Sequence, residues 1–193
     1  MTHTLLEPKD AQVVADTVQW LERAVIGLNL CPFAKGVHAK GQIHYVVNRG
    51  QTDGDLLDVL EAELLALAAA DPSARDTTLL MAPDMLAEFL VFNDFLDRAD
   101  KLLRKLDLEG VLQIASFHPQ FQFADTEADD ISNFTNRAPY PTLHLLREES
   151  IDRAVEAFPQ AEQIFEKNMQ TLNTLGATGW NALGLAVRVR ERN

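Results

Sequence analysis

Between residues 42 and 117 the chain alternates three short apolar runs with two longer segments whose apolar residues recur at helical spacing, and few folds satisfy that alternation. The first run, 42–47, sets Ile43, Tyr45 and Val47 against His44 and Val46, with the β-branched and aromatic content of a strand. Residues 77–82 form a second run, stopped by Pro83, and residues 111–117 a third, with Leu112, Ile114 and Ser116 on one face. After Asp55, a good helix-capping residue, Leu56, Leu57, Leu60, Leu64 and Leu67 mark one helix. Residues 84–106 mark another that is apolar on more than one face, so it is largely buried or split near Asn93. Strand, helix, strand, helix, strand predicts right-handed crossovers between neighbouring parallel strands. A fourth strand, 142–146, joins in a sense the sequence leaves open, with Thr142, His144 and Leu146 on one face and Leu143 and Leu145 on the other. The expected fold is α/β: a single domain over 1–193, a layered sandwich whose mixed four-stranded sheet (42–47, 77–82, 111–117, 142–146) is packed by helices.

Flanking segments extend the helical layers. Val14, Thr17, Val18, Leu21, Val25 and Leu28 make an amphipathic helix over 10–28, with Asp10 as its N-cap and Gly27 and Asn29 as stop signals. In the turn that follows, Pro32 bars Cys31 from helical geometry; a helix restarting at Pro32 makes the cysteine its N-cap, where the helix dipole favours a thiolate. Ser150 can cap a helix through Phe158, and Pro159 can start the next, whose buried stripe ends before Gly176 and Gly179. The tail 185–193 alternates Val187 and Val189 with arginines, as a frayed end or a weak edge strand does.

Seventeen Lys and Arg against 29 Asp and Glu give a net charge of -12, which repels phosphate backbones and anionic headgroups. Nucleic acid and membrane are therefore excluded as expected partners. A single cysteine suits a reducing compartment, and the polar start lacks the basic and apolar regions of a signal peptide, so a cytoplasmic protein is expected.

Function is concentrated in residues 113–148, where two strand-like runs bracket a long polar loop. His118 stands before Pro119 at the end of one run, and His144 follows Pro139-Tyr140-Pro141 in the other. Both can serve as acid/base groups or metal ligands, although no spacing matches a compact ligand motif and the metal stays unassigned. The bland alternative makes them a strand-end cap and a satisfied core residue. Arg137 offers a fork for a carboxylate or phosphate, with Asn136 and Tyr140 beside it, unless it pairs with neighbouring acids; for Arg147 the internal ion pair is the better reading. Cys31 is a nucleophile, a thiolate ligand to metal or haem iron, or a buried apolar residue. The acidic run at 125–130 fails as a calcium loop, because Asp130 and Asn136 occupy the positions that need Gly and Glu.

The stretches GLNLCPFAKG and QIASFHPQFQFAD followed by NRAPYPTLHLLRE resemble the bacterial family known as domain of unknown function 1415, over nearly the whole chain. That resemblance implies a cytoplasmic bacterial protein and brings no cofactor or catalytic residue with it. From the residues alone the leading expectation is a small enzyme acting on a small anionic molecule in a pocket at the strand ends, with His118, His144 and Cys31 as catalytic candidates. The alternatives are a non-catalytic metal- or ligand-binding protein using the same loop, and a homo-oligomeric interaction module.

Overall fold

The four expected strands form, each within a residue of its sequence bounds: β1 (Ile43–Val47), β2 (Thr77–Met81), β3 (Leu112–Phe117) and β4 (Thr142–Arg147). The structure is a computed structural model, and it describes residues 8–157 and 163–186. The expectations for Phe158, Pro159 and the tail beyond residue 186 lie outside those residues.

The sheet order β1-β2-β4-β3 corrects the expected neighbours. β1 and β2 are parallel, as a crossover requires, but β4 is inserted antiparallel between β2 and β3. The three earlier strands thus run in one direction without all being adjacent. Burial explains the choice: Thr142, Leu143 and Leu145 of β4 are at most 2% exposed, so both of its faces need cover, which only an interior position supplies.

One face carries α3 (Asp53–Ala69) and α4 (Phe89–Lys105). Leu56, Leu60, Leu64, Phe92, Phe95 and Leu103 pack there against Leu80, Leu112, Leu143 and Leu145. Each fully buried leucine or phenylalanine contributes roughly 2 kcal/mol of transfer free energy. Thr52, rather than Asp55, caps α3: its hydroxyl accepts from the Asp55 amide while the Asp55 carboxylate accepts from the Thr52 amide, a reciprocal box. α4 starts at Phe89, later than its apolar pattern implied, because Leu86 sits at φ 55 in the left-handed region and breaks any helix through it.

The other face carries α1 (Pro8–Trp20), α2 (Ala34–Ala39), α5 (Glu148–Ala157) and α6 (Ile164–Ala182), the last broken at Gly176 (φ 63). Asp10 lies inside α1 and binds the Arg49 guanidinium at 2.6 Å instead of capping the helix. At Leu21 the helix continues as a π turn through Ile26, with Gly27 N–H reaching Glu22 O at 3.0 Å. Asn29 (φ 53) then ends it. α5 begins at Glu148, two positions before the expected cap; Ser150 lies within it and donates to Asp76 at 2.6 Å.

Candidate functional site

The sheet face under α2 and α5 does not close into solid core. A cavity of about 360 Å³ lies there, walled by Trp20, Leu21 and Val25 of α1 and its π turn, by Cys31 and Phe33, and by β-strand residues including Phe117 and His144. Ala34 and Val37 of α2 and Ile151 and Ala154 of α5 roof it. Neither helix buries a single residue, because their inward side chains face this space. The π turn brings Leu21 and Val25 to the wall, and such turns recur where a helix is reshaped for function.

His144 sits on the interior strand β4, opposite Leu79 and Ala115. Its Nε2 is 2.7 Å from Thr77 Oγ1, and that hydroxyl is 2.5 Å from the Leu145 carbonyl. A carbonyl only accepts, so the hydroxyl proton is spent on it and Nε2 must donate to Thr77. In the neutral ring this leaves the lone pair on Nδ1. Burial in apolar surroundings pushes its pKa down to about 4. Phe117 lies tilted across the ring at 6.0 Å and itself stacks edge-on with Trp20 at 5.2 Å.

Cys31 shares this cavity. The thiol is half-buried and is not a helix cap, since α2 begins at Ala34 with Phe33 before it; the helix-dipole basis for a thiolate falls away.

His118 does not join His144. Phe117 pairs with Thr142, so the two histidines are near each other along the strands, but side chains alternate faces, and His118 falls on the α4 side between Phe89 and Phe92. It is wholly buried. Its Nδ1 accepts from Gln120 N–H at 3.0 Å, and Nε2 donates to Leu86 O at 2.9 Å. Burial is the main cause holding its pKa below the ordinary value. With both nitrogens engaged, it has neither a lone pair for a metal nor a proton position open to a substrate.

The three residues expected to hold an anion are tied into the protein. Arg137 donates to the carbonyls of Phe121 and Ala128 and lies 4.1 Å over the Phe134 ring. It borders a separate hollow of about 250 Å³ with Phe134 and Trp180. The Asn136 amide donates to Ser116 O at 3.3 Å, and Tyr140 donates to the buried Asp16 carboxylate at 2.6 Å. Among the described residues Arg147 makes no ion pair: its guanidinium caps α3 by donating to Leu67 O and Ala70 O, and it also donates to Arg75 O. Among the described residues no three His, Cys, Asp or Glu side chains cluster as a metal would require.

Sequence reasoning missed the walls of the cavity. Trp20, Thr77 and Asp76 carry no motif, and only the interior position of β4 brings them to His144.

Fold and site together define an α/β protein with an open mixed sheet and a ligand-sized cavity on one face. A model of the family described as protein of unknown function (DUF1415) matches residues 12–182, and the chain belongs to that family. Among curated proteins and among solved structures, nothing matches. No helix of the described residues is long and apolar enough to cross a membrane.

Proposed function

We propose that the chain binds one small molecule in the cavity beneath α2 and α5, with His144 as the polar group that orients it. The observation that carries this reading is the cavity itself. At about 360 Å³ it falls in the range of roughly 300–1,000 Å³ for small-molecule sites, and its wall is apolar and aromatic with a few convergent polar groups. Protein interiors otherwise close to crystal-like density. Binding without turnover is favoured over proton-transfer catalysis, because a histidine with a pKa of about 4 is a weak base near neutrality. The anionic ligand expected from Arg137 loses support, since among the described residues no Lys or Arg lines the cavity. A reducing, cytoplasmic setting suits the single thiol at its wall.

The test is a fragment library followed by amide NMR on the whole chain. Saturable shifts confined to β4, α2 and α5, and abolished by Ala154→Trp filling the roof while the circular dichroism is unchanged, are expected. Binders whose shifts scatter over the surface, or survive the plug, refute the reading.

A further inference from the structure

We infer that the ligand is an uncharged, largely apolar molecule carrying one N–H or O–H group, which donates to Nδ1 of His144. The inference rests on the cavity reading above and names the ligand class.

Three observations converge on it. Thr77 fixes the tautomer, so Nδ1 is an acceptor. Among the described residues no hydrogen bond reaches that atom, and His144 lines a space bounded by Trp20, Phe117 and Leu146. A ligand that places a donor on this open acceptor gains one hydrogen bond in largely apolar surroundings. Charge is selected against as well. Among the described residues Asp76 is the only acid or base other than His144 and Cys31 on the wall, and it already accepts from Ser150, so an anion there meets a carboxylate and no described cation. The aromatic pair Trp20 and Phe117 suits a flat ring, which buries area at low entropic cost.

The acceptor works in the ground state and moves no proton, so His144 is a positioning residue for the ligand.

Four probes of one ring size separate the outcomes: phenol, anisole, benzoate and benzylamine, each titrated into the intact chain by NMR with the 15N resonance of His144 Nδ1 followed directly. Phenol is expected to bind about tenfold more tightly than anisole, the worth of one hydrogen bond, and to move the Nδ1 resonance where anisole does not. Benzoate and benzylamine should bind more weakly than either. In His144→Leu the preference of phenol over anisole should vanish; if that variant fails to fold, the Nδ1 resonance of the unaltered chain still decides. Equal binding of phenol and anisole within the cavity overturns the donor inference and leaves the cavity reading standing. Tightest binding by benzoate or benzylamine overturns the neutrality of the ligand. If none of the four perturbs β4, α2 or α5, the cavity reading falls together with the inference.

Discussion

His118 donates from Nε2 to the carbonyl of Leu86 at 2.9 Å, joining the end of β3 to a leucine held at φ 55. A left-handed leucine is strained, and it persists where surrounding contacts over-determine it. The histidine that looked catalytic in sequence is one of those contacts.

His118→Ala should therefore act on stability and leave the cavity alone. It orphans Leu86 O and the Gln120 amide and empties a fully buried site, a loss of about 3 kcal/mol in urea unfolding. A loss under about 1 kcal/mol, or altered fragment binding at His144, contradicts the assignment.

Acid should weaken the fold before any carboxylate titrates fully. Burial depresses the folded-state values of His144 (to about 4) and of His118 below the ordinary 6.5, so on acidification the unfolded chain takes up protons first. Stability from His144 is complete above pH 6.5 and falls by about 1.4 kcal/mol per pH unit from there to about pH 4, and His118 adds a loss of the same sign below pH 6.5. Chemical denaturation at intervals between pH 4 and 7.5 measures this, and His144→Gln should flatten part of the slope. A curve level over that window excludes neutral buried histidines.

Arg147→Lys should cost about 2–4 kcal/mol despite keeping the charge. Lysine lacks the Nε–H that also reaches Arg75 O and the rigid fork that holds Nη2 against the carbonyls of Leu67, Ala70 and Arg75, so the last turn of α3 should fray at its C-terminus. Hydrogen exchange localised to residues 64–70 reports it; unchanged protection there argues that the carbonyls find water instead.

Cys31 should label with a compact methylating thiosulfonate faster than with a bulky aromatic disulfide, because it is half-buried at the cavity wall. Saturating phenol should slow the first reaction. Labelling at the same rate with both reagents, ligand present or absent, places the thiol outside the cavity.

Asn133→Ala should loosen the loop after β3. The wholly buried Asn133 accepts from Phe123 N–H and Thr126 Oγ1 and donates to Glu127 O, linking three turns of the loop to the 3₁₀ helix Ile131–Asn136. Amide exchange across 121–130 should rise while β1 and β2 stay protected. Uniform destabilisation of the whole chain would show instead that the loop is one unit with the core.

Strand positions were legible because period-two patterning and proline stops are local properties: 77–82 and 142–146 needed no knowledge of their partners. Sheet order was not, because the insertion of β4 depends on which strand can be covered on both faces, a property of the assembled layers. The same limit governed the site. His144 and Cys31 do line one cavity, while His118, a single residue past Phe117, was carried to the opposite face by the alternation that any strand imposes. Arg137, Asn136 and Tyr140 read as free polar groups in one dimension, and their partners Phe121, Ser116 and Asp16 come from distant sequence. The π turn at Leu21–Ile26 left no sequence trace, since its residues are ordinary helix formers.

β4, one of the two interior strands, is also the last of the four to leave the ribosome. Until residues 142–147 emerge, β2 and β3 have no shared neighbour, and each presents an unpaired edge. β2 is the exposed liability, five residues that are all buried in the finished protein and waiting some sixty residues for their second partner. A nascent chain stalled before β4 therefore displays an aggregation-prone template, and truncations in that interval should depend on chaperones to stay dispersed where the full chain does not.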